Sequence, residues 1–189
     1  MDYSEFIKVV LVGTSHPGNI GATARAIKTM GLNKLDLVCP KEFPSDEATY
    51  RSKAAKDILE KASIHETLLE SVKGCEIVIG TSARNRKVPW PVLNPKNASI
   101  QINTAVKNNS KVAIVFGRED RGLTNEELGL CNLHIHVPTN EDYSSLNLAQ
   151  AVQIVTYEIR MNFLELESLK NDQEWDVELA SAEQTERLI

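Results

Sequence analysis

The chain has 189 residues, a formal net charge of −5, 42% hydrophobic and 25% charged residues. That is the composition of one globular domain with a sizeable core. No apolar run approaches the ~20 residues a membrane span needs, and the N-terminal MDYSEFIK carries acids rather than a basic leader ahead of an apolar segment. A soluble, cytoplasmic protein without membrane partners is expected. Cys39, Cys75 and Cys131 are far apart and odd in number, which argues against a disulfide framework and a zinc site. No metal is expected. Cys39 and Cys75 sit in apolar runs and read as small buried residues. The charge is unevenly spread. Residues 165–189 hold eight acids against two bases, and residues 1–164 hold 19 bases against 18 acids. The overall sign therefore does not exclude a basic patch on the body or a nucleic-acid partner.

In chain order, Phe6 to Val12 reads as a buried strand. Gly18 to Met30 reads as a helix with Ile20, Ala24, Ile27 and Met30 on one face and Gly31 as its stop. Leu35 to Val38 is a strand closed by Pro40. Ser45-Asp46-Glu47 opens a helix through Tyr50, Ala54, Ile58 and Leu59. Thr67 starts a short helix that stops at Gly74, and Glu76 to Ile79 is a strand. Thr81 to Pro95, with three prolines, three bases and Trp90, is a long loop. Ile100 to Val106 is a helix and Val112 to Phe116 a central strand. Thr124-Asn125-Glu126-Glu127 is a capping-box pattern. Leu133 to Val137 is a last strand, and a long helix follows Tyr143 and reaches about Leu169. Five apolar strands alternating with helices predict an α/β domain, a parallel sheet covered on both faces. Ligands in such sheets bind beyond the carboxyl ends of the strands.

Four segments stand at those ends: GTSHPGNIG, GTSARNRK, GREDRG and DYSSLN. The glycines of the first fit neither a dinucleotide fingerprint nor a nucleotide P-loop. Asn19 reads as a cap or a site residue, and Arg25 as a solvated or a functional base. Arg84, Asn85, Arg86 and Lys87 beside Trp90 combine phosphate-contacting bases with a stacking aromatic, as single-stranded RNA binding requires; a charged surface loop is the alternative. Glu119 can orient a substrate or pair with Arg118 or Arg121. His134 and His136 share a strand face, but no third ligand lies at metal spacing, which favours a strand-surface role. In DYSSLNLAQAVQIV, Ser144 or Ser145 can cap the helix, line a ligand site, or do both.

Taken together, NIGATAR, FGREDRGL and YSSLNLAQAV resemble, in order, the three motifs of the SPOUT superfamily of RNA methyltransferases, specifically the SpoU-type ribose 2'-O-methyltransferases. VLVGTSHPGNIGATARAIKTMGL, VIGTSARNRKVPWP and VFGREDRGLTNEEL are similar to members that modify a cytidine or uridine at nucleotide thirty-two of the tRNA anticodon loop. The resemblance spans residues 6–164. It implies a parallel sheet with a C-terminal trefoil knot, S-adenosylmethionine bound in the knot, and a homodimer whose two subunits form the RNA site. The implied cofactor contacts are Thr81, Ser82, Ala83, Gly117, Val137, Ser144, Ser145 and Leu146. The implied catalytic or substrate-orienting residues are Asn19, Arg25, Glu119, Ser145 and Asn147. Arg84, Arg86, Lys87, Arg118 and Arg121 would face the RNA.

The implied chemistry is in-line attack of the ribose 2'-oxygen on a sulfonium methyl, with charge neutralised along the path and water excluded. Arg25 takes the central role by resemblance. A guanidinium stays protonated in proteins, so Arg25 is expected to stabilise the oxyanion and anchor phosphate. Members of this type continue into a C-terminal helical extension. Here Ala180 to Leu188 begins a capped helix and the chain stops at Ile189. A methyltransferase domain over 1–164 is expected, followed by a loosely packed acidic tail over 165–189, in a truncated or naturally short member. Two other readings are a related enzyme acting on ribosomal RNA and a non-catalytic RNA- or cofactor-binding module.

Overall fold

The computed structural model describes residues 2–82 and 91–167, with side chains through Leu164. Ala83, Arg84, Arg86, Lys87 and Trp90, and the tail from residue 168, lie outside the described residues.

Among the described residues, seven strands form one sheet: β1 (Ile7–Val12), β2 (Lys34–Val38), β3 (Ser63–His65), β4 (Ile77–Ser82), β5 (Val92–Leu93), β6 (Val112–Phe116) and β7 (Leu133–His136). Their order is β3-β2-β1-β6-β4-β7-β5, and every pairing is parallel. β7 thus lies between β4 and β5, two strands consecutive in the chain. Every residue of β6 is buried, because a central parallel strand is covered on both faces. The alternation of β1 divides the core. Ile7, Val9 and Leu11 join one apolar cluster and Val10 and Val12 the other.

The helices are α1 (Pro17–Thr29), α2 (Asp46–Ser52), α3 (Lys56–Glu60), α4 (Leu68–Val72), α5 (Pro95–Lys107), α6 (Asn125–Gly129) and α7 (Leu148–Glu167). The first cluster packs α1, α3, α5 and α7 on the sheet, with Val152, Val155 and Ile159 as the fully buried stripe of α7. The second packs α4 and α6 through Leu68, Val72 and Leu128. α1 lies tightly on α2: a Cβ at Gly21 would stand 2.1 Å from the Ala48 carbonyl oxygen. Thr67 and Thr124 each make a complete capping box. Among the described residues, no helix is long and apolar enough to cross a membrane.

Some expectations change. The sheet has two more strands than the five expected, both at its edges. The helix expected from Ser45 to Leu59 breaks at Lys53, whose φ is +52°; α2 is followed by a 3-10 turn at Lys53–Ala55 and then α3. The Ser45 hydroxyl bonds Glu42 instead of capping. α5 starts at Pro95, five residues before Ile100, because Asn94 caps it through the Asn97 N–H and Pro95 fits the first helical position. Cys39 is exposed and Cys75 intermediate, whereas Cys131 is buried. Cys39 follows the last residue of β2 in a turn with φ +45°, so it leaves the core.

Candidate functional site

The carboxyl ends of β4, β6 and β7 and the segment entering α7 converge on one cleft of about 220 Å³. Gly117 ends β6 and starts a tight loop. The Arg118 N–H donates to the Gly122 carbonyl and the Gly122 N–H donates back, at 3.2 and 2.8 Å. A Cβ at Gly117 would lie 2.2 Å from the Gly122 carbonyl carbon and 2.3 Å from the Leu123 nitrogen, so only glycine permits this return. After β7, the Tyr143 N–H donates to the Asn140 carbonyl at 3.1 Å, and the Thr139 hydroxyl donates to the Ser144 carbonyl at 3.4 Å. These bonds shape the turn that carries Ser144, Ser145 and Leu146 to the cleft. Thr81, Ser82, Gly117, Val137, Ser144, Ser145 and Leu146, all expected as cofactor contacts, line it together. Phe116, Leu148 and Ala151 add apolar wall, and Glu119, Asp120 and Arg121 add charge. An apolar slot edged with hydroxyls, carboxylates and a guanidinium suits a nucleoside with a charged substituent.

Beside the cleft, Glu119 anchors a hydrogen-bonded chain. Its Oε2 accepts from the Ser15 N–H and hydroxyl, at 3.1 and 3.0 Å. Its Oε1 accepts from the His16 N–H at 3.3 Å and from Asn19 Nδ2 at 2.9 Å. Asn19 Oδ1 accepts from Asn147 Nδ2 at 3.0 Å, and Asn147 Oδ1 accepts from the Ala149 N–H at 3.0 Å. Asn147, not either serine, therefore caps α7. Asn19 does not cap α1 either: it is the third residue of the helix, turned toward Glu119. Burial raises the Glu119 pKa, but the bonds from Asn19 and Ser15 outweigh it and hold the carboxylate below its usual range.

Arg118 is committed elsewhere. Its two terminal nitrogens donate to the two oxygens of Glu127, both at 2.9 Å. This pairing raises the Arg118 pKa. Burial works against ionisation of Glu127, yet the bonds from Arg118 and Thr124 keep its pKa depressed. Arg121 lines the cleft and is exposed, while Arg25 is exposed on α1 and outside the cleft lining. Among the described residues, no group of three or more His, Cys, Asp or Glu is placed to hold a metal.

His134 is the residue that sequence reasoning misplaced. It is 1% exposed, not on the strand surface. Its Nε2 lies 2.7 Å from the Ser82 hydroxyl, and His136 Nδ1 lies 3.3 Å from the Ser82 carbonyl. The cause is that β7 is an inner strand, with β5 covering the edge that a five-stranded sheet would leave open. Ser15 was missed as well. Only its place in the loop that follows β1 marks it.

A sheet of this order with its cleft between the β6 loop and the turn before α7 defines a class. The chain belongs to the SpoU rRNA Methylase family, whose family model matches residues 7–157. It is 47% identical over 187 residues to the tRNA (cytidine/uridine/adenosine-2'-O-)-methyltransferase TrmJ of Pseudomonas aeruginosa, covering 95% of this chain and 73% of that protein. It is 50% identical over 159 residues to the tRNA (cytidine/uridine-2'-O-)-methyltransferase TrmJ of Yersinia pestis, covering 84% of this chain but only 62% of that protein. Among solved structures, a probable methylase family protein from Haemophilus influenzae superposes with a TM-score of 0.82 at 43% identity, over 97% of this chain and 76% of that one. The fold extends to the SpoU methyltransferase AviRb of Streptomyces viridochromogenes in complex with AdoMet, with a TM-score of 0.68 at 18% identity, over 85% of this chain and 61% of that one.

Proposed function

We propose that this chain is the catalytic body of an S-adenosylmethionine-dependent tRNA methyltransferase. It modifies the ribose 2'-hydroxyl of a cytidine or uridine at nucleotide thirty-two of the anticodon loop, and works as a homodimer with a knotted C-terminal segment. The observation that carries this is the convergence, in one cleft, of Thr81, Ser82, Gly117, Val137 and Ser144–Leu146 beside the Glu119–Asn19–Asn147 chain. Near 50% identity to two TrmJ proteins supports the tRNA substrate.

The cofactor, when bound, supplies an electrophilic methyl on a sulfonium. Phe116, Val137 and Leu146 offer the apolar surface for a flat base, and Ser82, Ser144 and Ser145 offer hydroxyls for the ribose and the amino-acid tail. Glu119 and Asp120 supply negative charge beside a cationic group. The five bonds that hold Glu119 and Asn19 fix these groups before substrate arrives, which is how orientation lowers a barrier. Asn19 and Asn147 orient the incoming ribose edge. Arg25, exposed on α1, anchors an RNA phosphate through its planar guanidinium and stabilises the 2'-oxyanion.

The test is transfer of labelled methyl from S-adenosylmethionine to unmodified tRNA, with the modified nucleotide mapped. Label at nucleotide thirty-two is expected. Label only in ribosomal RNA would move the substrate to the RNA that the family's description names. Label in neither, with cofactor still bound, would leave a binding module.

A further inference from the structure

The opposite end of the sheet holds a second concavity, about 500 Å³ in volume. Its walls come from the amino ends of four strands that neighbour one another in the order β3-β2-β1-β6. Each strand brings a lysine there. Lys61 lies two residues ahead of β3, Lys34 is the first residue of β2, Lys8 the second of β1, and Lys111 immediately precedes β6. Lys73, following α4, is the fifth. With strands about 4.8 Å apart, the row of four spans roughly 14 Å.

Two of the five are paired. Lys8 Nζ stands 2.9 Å from Asp36 and Lys34 Nζ 3.0 Å from Glu5. Asp36, the buried acid of this wall, is held by further donors. Its Oδ2 also accepts from the Ser71 hydroxyl at 2.9 Å and lies 3.1 Å from His65 Nε2. Its charge is thus largely compensated locally. Lys61, Lys73 and Lys111 are exposed and have no ion pair among the described residues. A chain of net charge −5 therefore lines one groove with five lysines against two acids, Glu5 and Asp36, while the Glu76 carboxylate accepts the Lys111 N–H at 2.6 Å beside it. Offsetting helix dipoles is not a sufficient reason for them. Lys61 and Lys73 do follow helices, but α3 and α4 have only five residues each, and Lys111 precedes a strand.

We propose that this lysine row is a second RNA-binding groove, remote from the methylation cleft, that takes a run of backbone phosphates. The row is too long for one phosphate and takes a short run of successive phosphates along a strand. The groove adds affinity without sequence preference, since phosphate contacts position the nucleic acid and do not read it. The choice of RNA over a free oligophosphate rests on the tRNA reading above.

The test uses the full chain with Lys61, Lys73 and Lys111 all changed to Gln, and a second variant with all three changed to Arg. Binding of unmodified tRNA is measured across a salt series, and binding of sodium tripolyphosphate in parallel. The Gln variant is expected to bind tRNA about 10²- to 10³-fold more weakly at ~0.1 M salt. The slope of its log affinity against log salt should fall by about 2–3, close to 0.9 per lost phosphate contact. The Arg variant should match the parent, and the thermal melts of all three should coincide. Equal tRNA affinity and slope in the Gln variant would overturn the proposal; if tripolyphosphate binding alone is lost, the groove serves a free anion instead of RNA. Methyl transfer by the parent is followed separately, so failure of the tRNA reading and failure of the groove give different results.

Discussion

Asn147 Nδ2 donates to Asn19 Oδ1 across 3.0 Å, joining the start of α1 to the start of α7 although 128 residues separate them. Asn19 is the centre of the chain of bonds, since its amide nitrogen also donates to Glu119 at 2.9 Å. Asn19→Asp keeps the acceptor for Asn147 but sets a second carboxylate against Glu119, so the two repel and the loop at Ser15 shifts. Methyl transfer to tRNA, read as kcat/KM, is expected to fall about 10²-fold, the scale of a displaced orienting group. Parent-level transfer would show that this chain of bonds is scaffolding alone.

Gly117→Ala tests the tight return of the β6 loop. The added methyl would meet the backbone at Gly122 and Leu123 within 2.3 Å, and neither can move without opening the loop. Overpacking of this kind costs about 1–3 kcal/mol, visible as a lowered melting temperature. Calorimetry with S-adenosylmethionine should show weakened binding, since Arg118 to Gly122 lie along the cleft.

Acid should loosen the same region from both sides. The folded pKa values of Glu119 and Glu127 lie below the ordinary value of 4.5. The stability they contribute is therefore complete above that value and is lost as pH falls through the lower folded value. Melting temperatures taken between pH 7 and pH 3 should hold steady and then drop below about pH 4.5. Glu127→Gln should melt lower at neutral pH and show a shallower acid decline, because it has already lost the bidentate partner of Arg118. An unchanged acid profile in that variant would assign the decline to other carboxylates.

Arg25→Lys separates function from fold. Arg25 is exposed, and its carbonyl accepts from the Thr29 hydroxyl at 2.8 Å. The melting temperature should stay within the shift expected of about 0.5 kcal/mol. Methyl transfer should fall sharply, because an ammonium keeps the charge but loses the planar fork. Transfer at the parent rate would remove Arg25 from the chemistry.

The inner strands were legible because each is a short, continuously apolar run between breakers. β3 and β5 were not, for a physical reason. An edge strand buries one side at most, and Ile64 of β3 remains 55% exposed, so neither apolar alternation nor length marked the segment. In the sequence Pro95 closes a proline-rich loop, whereas in the fold it is the first residue of α5; the local signal is the preceding Asn94, which caps the helix. In the candidate site, the glycine turn and the hydroxyl-rich segment could be placed beyond strand ends from the alternation of elements. The pairing of Asn19 with Glu119 and Asn147 could not, since contacts over 100 residues or more leave no local spacing to read. Without β5 in view, His134 looked like a surface residue on an edge, when it is the interior partner of Ser82.

The place of β7 between β4 and β5 also sets an order of events during synthesis. Among the described residues, β5 pairs with β7 alone, so it has no described strand to join until residue 133 and beyond have emerged. The strands β3-β2-β1-β6-β4 all lie within the first 116 residues, whereas the wall that completes the cleft waits for the last strand and α7. Late, long-range pairing is the slow part of forming a sheet. A nascent chain that has exposed only its first 130 residues would thus lack both the wall of the cleft and the Val152–Ile159 stripe that covers one face of the sheet.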